Sequence, residues 1–223
     1  MTDTALRIRS NKHIYDVLKA PRCAVESASG GLPATITGPI EVSPSLTIDG
    51  SLSSQYITAL LLIAPMTCPD SCQMINISGD LVSKPYLDIN LNEMNKCGVN
   101  AHWQDEKTIF VEQNQYQSGQ RTIEGDATAA TYFSALATLH CGSVTLTNID
   151  QTTHQGDYEF CTVMEALGAT VERSGHTRIV GPAKLSPLQE VNMQAMPDAA
   201  LTLIAMSPLL PGSNTITGLQ SLH

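Results

Sequence analysis

One pattern of segments occurs three times along the chain, and this repeat limits the possible folds more than any other feature of the sequence. In residues 46–66 a short apolar strand is followed by Ser53, Ser54 and a helix-length segment that is apolar almost all round. Residues 121–149 and 189–219 show the same order of strand, polar turn, helix start, apolar helix and second strand. A period of roughly 70 residues is too long for a thin solenoid and indicates a compact subdomain.

A second pattern of helix and strand follows each of the first two copies. Its helices carry apolar residues at helical spacing, as at Leu87, Leu91 and Met94, and they end at Gly98 or Gly168 before the next strand. One complete repeat therefore reads βαβαββ, whereas the third copy stops after its first strand, helix and strand. The pattern predicts an α/β protein built from βαβαββ repeats.

The repeat also predicts two domains. Residues 114–120 are polar and contain a glycine, so they are the best linker in the chain and divide it into residues 1–120 and 121–223. Ahead of the first copy, residues 14–18 predict a helical turn and residues 34–40 an edge strand.

Composition excludes several classes of function. A formal net charge of -9 argues against nucleic acid and against anionic membranes, because both would repel the chain. No segment has the roughly 18 to 20 apolar residues of a membrane span, and the amino end lacks a secretory signal. The six cysteines have no zinc or disulfide spacing, so we predict reduced thiols, no metal site and a cytoplasmic location.

The helix starts are candidate sites for chemistry. Serine hydroxyls satisfy unpaired N–H groups at a helix start, and the same end offers further N–H donors and a partial positive charge to an anion. Ser53 and Ser54 stand at such a start, as does the Pro197-Asp198 pair in the third copy. Each feature alone is an ordinary helix cap, so a functional role can be inferred only from these features together with the other motifs.

Five motifs occur together in a characteristic order: DGSLSSQYITALLL, GDLVSKPYLDI, EGDATAATYF, QGDYEFCTVMEALGA and MPDAALT. In sequence, order and spacing they resemble the 5-enolpyruvylshikimate-3-phosphate synthase (3-phosphoshikimate 1-carboxyvinyltransferase) family. The resemblance covers residues 46–219, about half of a full-length member of the family. It implies the enolpyruvyl transferase fold of repeated βαβαββ units, here as an incomplete two-lobed arrangement.

The resemblance also implies a reaction. The family transfers the enolpyruvyl group of phosphoenolpyruvate to the 5-hydroxyl of shikimate 3-phosphate and releases phosphate, on the way to chorismate and the aromatic amino acids. It passes through a tetrahedral adduct and uses no metal or organic cofactor. Residues 1–120 would belong to the first lobe, on the shikimate 3-phosphate side, and residues 121–223 to the second lobe.

Substrate-binding positions carry over residue by residue. Ser53, Ser54 and Gln55 match the Ser-Ser-Gln motif that contacts the phosphate and the ring of shikimate 3-phosphate. Ser83 and Tyr86 match further substrate contacts.

Charged residues near these motifs have different expected roles. Lys84 adds a cation to the substrate-binding set, with an ordinary solvated lysine as the alternative. Asp198 matches the acidic residue that hydrogen-bonds shikimate hydroxyls and transfers a proton, so it is the predicted catalytic residue. We interpret Asp126 and Asp157 as helix-start caps rather than catalysts.

Several family motifs are not found in the chain. The basic segments that bind phosphoenolpyruvate would precede residue 46 or follow residue 219, so the site for phosphoenolpyruvate is expected to be weak or absent. The chain is therefore not expected to complete the reaction alone. The alternatives are a non-catalytic fragment that binds shikimate 3-phosphate or is only structural, a relative of UDP-N-acetylglucosamine enolpyruvyl transferase, and an assembly formed by self-association or with a complementing chain.

Overall fold

The fold was analysed in a computed structural model of the 223-residue chain. The structure describes residues 10–19, 23–38, 43–51, 53–67, 71–81, 84–220 and 222. The chain divides into two compact units, Met1–Gln120 and Arg121–His223. Within the described ranges, no helix combines the length and the apolarity that a membrane crossing requires.

The first unit combines three helices with six strands among its described residues. The helices are α1 (Lys12–Leu18), α2 (Ser54–Thr67) and α3 (Lys84–Lys96). The strands are β1 (Ala24–Glu26), β2 (Thr35–Thr37), β3 (Ser45–Asp49), β4 (Cys72–Ser78), β5 (Ala101–Trp103) and β6 (Thr108–Glu112).

The main sheet of the first unit confirms the predicted βαβαββ order. Its strands lie in the order β3-β4-β6-β5, with β3 and β4 parallel and the other two pairs antiparallel. Alternate residues of β3 and β4 are buried, among them Ile48, Ile75 and Ile77. Helices α2 and α3 pack against each other and against this sheet, which closes the core of the unit.

The segment ahead of the first repeat forms a helix and a small hairpin. The predicted helical turn at residues 14–18 is part of the longer helix α1. Of the predicted strand at residues 34–40, Thr35–Thr37 form β2, which pairs antiparallel with β1, and residues 39 and 40 lie outside the described residues. The Tyr56 hydroxyl donates a 2.7 Å hydrogen bond to the Ser10 carbonyl, so α2 holds the segment that leads into α1.

Over its described residues, the second unit combines three α-helices with five strands. The helices are α4 (Ala127–Leu139), α5 (Phe160–Ala166) and α6 (Pro197–Met206), with short 3-10 helices at Gly156–Glu159 and Ser207–Leu209. The strands are β7 (Ser143–Leu146), β8 (Thr170–Arg173), β9 (Thr177–Val180), β10 (Glu190–Asn192) and β11 (Thr215–Thr217). They form an antiparallel sheet β7-β9-β8 and a parallel pair β10-β11.

One predicted strand is absent from the second unit. The second copy, residues 121–149, was expected to begin with a strand, yet residues 121–126 are all described and none of them is in a strand. The single large apolar side chain of this segment, Ile123, is 77% exposed, and Gly125 reaches Asn148 through one backbone hydrogen bond of 2.7 Å. A strand requires a row of partners and a buried face, and this segment has neither among the described residues.

The corresponding helices of the two units end in the same way. Gly98 and Gly168 have φ angles of +85° and +100°, a region that favours glycine. The next residue donates to the carbonyl of Met94 after α3, or of Met164 after α5, which is the Schellman arrangement. The predicted helix stops at both glycines are therefore confirmed.

The all-round apolarity of α2 predicts a fully buried helix, and this prediction is only partly right. Ile57 and Leu61 are 0% exposed, whereas Leu62 is 44% and Met66 is 62% exposed. The helix therefore has one core face and one apolar face that no other described residue covers.

Two adjacent leucines of α2 provide a matched test of the core. Leu61→Ala should lower the free energy of unfolding by about 2–5 kcal/mol, because it opens a cavity beside the sheet. Leu62→Ala removes the same atoms from an exposed position and should cost about 1 kcal/mol or less. Urea denaturation followed by the fluorescence of Trp103, the single tryptophan, reports on this unit. Equal effects of the two substitutions would contradict the described packing.

Candidate functional site

Two helices of the first unit begin at the same edge of its sheet. Since β3 and β4 are parallel, with Asp49 opposite Ser78, their carboxyl ends meet at one edge. Helix α2 follows β3 and helix α3 follows β4, so both helices start from that edge. This arrangement brings the Ser53 segment and the Lys84 segment to one end of the unit.

The serine motif forms the start of α2. Ser53 Oγ accepts a 3.2 Å hydrogen bond from the backbone N–H of Gln55, the geometry of an N-cap. Ser54 begins the helix and is only 7% exposed, whereas the Gln55 side chain is exposed to solvent. The predicted helix start at the serines is confirmed.

The start of α3 contains a cation that already has partners. Lys84 Nζ lies 3.4 Å from Asp88 Oδ1 and 4.5 Å from the ring centre of Trp103. The indole N–H of Trp103 donates a 2.7 Å hydrogen bond to the same carboxylate oxygen of Asp88. An anion that binds Lys84 must therefore compete with Asp88.

A polar contact joins the two helices near their starts. The Asn90 side-chain amide donates to Thr58 Oγ1 at 2.9 Å and to the Tyr86 carbonyl at 2.7 Å. The Tyr86 side chain is 40% exposed. Ser83, the remaining predicted contact in this group, lies outside the described residues.

The electrostatics of this end favour an anion at the helix starts. In the part of the chain that the structure describes, the first turns of α2 and α3 contain no acidic residue. The carboxylate nearest in sequence to the start of α2 is Asp49, which accepts hydrogen bonds from the Ser51 hydroxyl at 2.6 Å and the Ser51 N–H at 2.9 Å. These bonds, with a smaller contribution from His13, lower the pKa of Asp49. The Asp49 carboxylate is thus bonded to Ser51, in the turn that follows β3.

Asp198 lies in the second unit, in the first turn of α6. Pro197 occupies the start of that helix, where its missing N–H costs nothing. Asp198 is exposed, while the following Ala199 is 0% exposed. The predicted site residues are therefore divided between the units, with Asp198 in one and the serine, lysine and tyrosine positions in the other.

Asp126 and Asp157 differ in what they cap. Asp126 accepts a 3.0 Å hydrogen bond from the Ala129 N–H and is the expected N-cap of α4. Asp157 makes no side-chain capping bond in its own 3-10 helix. Its buried carboxylate accepts from the Thr128 hydroxyl of α4 and faces the Ala199 N–H at the start of α6.

The environment of Asp157 disfavours its charged form. Burial is the largest cause that raises its pKa, and the negative charges of Asp198 and Asp126 raise it further. The hydrogen bonds from Thr128 and Ala199 act in the opposite direction but do not cancel these effects. The pKa of Asp157 is therefore above its ordinary value.

Gln155 is a positioning residue that sequence reasoning missed. Its side-chain oxygen accepts a 2.8 Å hydrogen bond from the Ala127 N–H, and its amide donates to Glu124 at 2.9 Å and to the Gly125 carbonyl at 2.7 Å. The bonds fix the entry into α4. A glutamine before a Gly-Asp pair carries no local signal for contacts this distant in sequence.

Metal ligands were not expected, and the described ranges contain no group of three His, Cys, Asp or Glu side chains suited to one. No disulfide joins the described cysteines, and burial raises the pKa of the Cys161 thiol to about 11.

The sequence matches the family described as EPSP synthase (3-phosphoshikimate 1-carboxyvinyltransferase) over residues 3–223. The match thus includes residues 3–45, which carried no recognisable motif and lay outside the expected resemblance.

Individual relatives and solved structures are similar over about half of their length. Proteins called 3-phosphoshikimate 1-carboxyvinyltransferase from Buchnera aphidicola subsp. Schizaphis graminum and Aliivibrio salmonicida are 34% and 36% identical, over 98% and 92% of this chain. The chain spans 51% and 48% of those two proteins.

The structural likeness agrees with the sequence match. The EPSP synthase structure from Acinetobacter baumannii has a TM-score of 0.73 at 16% identity and covers 99% of this chain and 52% of its own. The enolpyruvyl transferase NikO from Streptomyces tendae has a TM-score of 0.63 at 14% identity, over 95% of this chain and 52% of its own. These structures share the enolpyruvyl transferase fold with the present one. On the sequence match over residues 3–223, the chain belongs to the EPSP synthase family.

Proposed function

We propose that this chain is part of a 3-phosphoshikimate 1-carboxyvinyltransferase. The reaction moves the enolpyruvyl group of phosphoenolpyruvate onto the 5-hydroxyl of shikimate 3-phosphate and releases phosphate, toward chorismate and the aromatic amino acids. Membership of the family supports the reaction class. The observation that supports a substrate-binding role for this chain is the pair of helix starts at one sheet edge of the first unit.

The proposed site for shikimate 3-phosphate is built on these helix starts. The phosphate would accept hydrogen bonds from the N–H groups and serine hydroxyls at Ser53 and Ser54, where the helix end carries partial positive charge. Gln55 is exposed and offers an amide to the ring hydroxyls, and Tyr86 offers a phenolic hydroxyl. Ser83 remains a predicted contact.

Lys84 is the cation of the proposed site. Its present contacts with Asp88 and Trp103 are exposed to solvent, and exposed ion pairs contribute little, about 0–1 kcal/mol. A phosphate dianion could therefore draw Lys84 from Asp88 at small cost.

Asp198 is the proposed proton acceptor. As the 5-hydroxyl oxygen bonds to C2 of phosphoenolpyruvate, the hydroxyl proton passes to a base and C3 gains a proton, which gives the tetrahedral adduct. The C–O bond to phosphate then breaks and C3 loses a proton, which restores the double bond. A carboxylate within hydrogen-bond reach of the hydroxyl can accept its proton.

We propose that the chain binds shikimate 3-phosphate but does not release phosphate alone, because the sequence contains no recognised set of cations for phosphoenolpyruvate. Self-association, a complementing chain and a cytoplasmic location stay predictions. The UDP-N-acetylglucosamine enolpyruvyl transferase alternative is not retained, since the matched family and relatives carry the shikimate name.

Calorimetric titration with shikimate 3-phosphate tests the serine motif. The double variant Ser53→Ala, Ser54→Ala should weaken binding at least tenfold, because it removes two hydroxyls from the phosphate, each worth about 1 kcal/mol. The matched control is Ser118→Ala, Ser174→Ala, which removes two exposed hydroxyls outside the helices and should bind like the unaltered chain. Equal binding by the two double variants would exclude the proposed phosphate position.

A phosphate-release assay with both substrates separates binding from turnover. We expect binding without release. Release by the chain alone would contradict the proposed absence of a phosphoenolpyruvate site, and no binding at all would mean that the motifs serve only the fold.

Lys84→Met tests the cation. The substitution keeps the apolar stem but removes the charge, so affinity for shikimate 3-phosphate should fall about three- to tenfold at low salt and less at high salt. Lys96→Met on the same helix is the control, since Lys96 lies in its last turn. If the affinity does not depend on salt and Lys84→Met leaves it unchanged, Lys84 does not contact the substrate and is only a solvated partner of Asp88.

A further inference from the structure

Asp157 connects the starts of two helices in the second unit. Its carboxylate accepts a hydrogen bond from the Thr128 hydroxyl in the first turn of α4. It also faces the Ala199 N–H in the first turn of α6, which lowers its pKa. Asp157 itself belongs to the 3-10 helix Gly156–Glu159 and is only 6% exposed. One buried carboxylate thus lies where three elements meet.

Helix α6 depends on this external acceptor. Its N-cap residue Met196 makes no capping hydrogen bond with its side chain, and Pro197 has no N–H to satisfy. The Ala199 N–H is one of the donors that an α-helix leaves unpaired at its start. Since Asp198 directly precedes Ala199, the bond to Asp157 fixes the peptide unit that joins the two residues.

A second contact holds the same helix one turn further along. Thr131 Oγ1 of α4 and Thr202 Oγ1 of α6 are 2.7 Å apart, and both residues are buried. Helix α6 is therefore attached to the rest of the unit at its first turn and again at the next. Asp198 stands on the exposed side of the turn that Asp157 holds.

We propose that Asp157 is a positioning residue for Asp198: through the Ala199 N–H it sets the first turn of α6, and thereby the direction in which the Asp198 carboxylate leaves the helix. The part of this proposal that concerns substrate rests on the proposed function, because it takes Asp198 as the group that contacts a substrate hydroxyl.

Charge couples the two carboxyls as well. The negative charges of Asp198 on α6 and Asp126 on α4 both raise the pKa of Asp157, after burial as the larger cause. Asp198→Asn should therefore lower the pKa of Asp157, which carboxyl NMR titration measures directly. An unchanged pKa would mean that the two groups do not interact.

The raised pKa also predicts a pH-dependent stability. The folded chain holds the Asp157 proton more tightly than the unfolded chain, so the resulting stability is fully present below the ordinary pKa of 3.8 and is lost as the pH rises through the folded-state pKa. Asparagine cannot titrate. The urea midpoint of Asp157→Asn should therefore lie furthest below that of the unaltered chain at low pH, with a smaller gap near neutrality. A difference in urea midpoint that stays constant between about pH 4 and pH 7 would contradict a contribution of the Asp157 pKa to stability.

Amide hydrogen exchange tests the positioning without any ligand. Asp157→Ala should speed exchange at the Ala199 N–H about fivefold, the effect expected for loss of a helix cap. Asp126→Ala is the matched control, because it removes a cap of the same kind from α4 and should act at Ala129 instead. Unchanged exchange at Ala199 in Asp157→Ala would overturn the proposal.

Binding then tests the consequence for substrate. Asp157→Ala should weaken binding of shikimate 3-phosphate about fivefold, and Asp157→Asn less, because its amide oxygen can still accept the Ala199 N–H. Asp126→Ala should leave the affinity unchanged. Equal affinity in the unaltered chain and Asp157→Ala would overturn the role toward substrate. If the unaltered chain does not bind, the proposed function fails, while the exchange at Ala199 still decides whether Asp157 sets the helix turn. Asp157→Asn keeps both tests possible should the alanine variant fail to fold.

Discussion

The N–H groups that every helix leaves unpaired at its start determine how this protein is organised. Ser53 supplies the acceptor for α2 and Asp126 for α4, whereas α6 receives its acceptor from Asp157 on a separate element. The type of acceptor also decides whether that helix end can bind an external group. A neutral hydroxyl leaves the positive end available to an external anion, but a carboxylate occupies it.

The two units therefore present related helix starts with opposite electrical character. The described first turns of α2 and α3 contain hydroxyls and Lys84 but no carboxylate, while three aspartates lie at the helix starts of the second unit. The first environment suits a phosphate, and the second suits hydroxyl groups and proton transfer. The difference follows from the residues that stand at the helix starts of one repeated pattern.

Features that depend on neighbouring residues could be predicted from the sequence. The cap at Ser53 and the helix ends at Gly98 and Gly168 follow from local propensity and spacing. Features that depend on distant partners could not. A carboxylate in a helix start appears the same whether it caps its own helix, as Asp126 does, or another one, as Asp157 does.

The same limit explains two further differences between expectation and structure. The copy that begins at residue 121 was predicted to start with a strand, but a strand exists only where another strand pairs with it. Lys84 was expected either to add a cation to the substrate-binding set or to be an ordinary solvated lysine, and Trp103 and Asp88 approach it from a strand and from the next helical turn.

The buried hydroxyl pair of Thr131 and Thr202 has a consequence for how this family can vary. Thr131 Oγ1 also donates a 2.6 Å hydrogen bond to the Thr128 carbonyl, so Thr202 is the donor of the bond between the two hydroxyls. Loss of the Thr131 hydroxyl therefore leaves the buried Thr202 hydroxyl without its acceptor, whereas loss of the Thr202 hydroxyl leaves Thr131 bonded to Thr128. The epistasis between the two positions is thus one-sided. Natural sequences should seldom combine an apolar residue at position 131 with a hydroxyl at position 202, while the reverse combination should be tolerated.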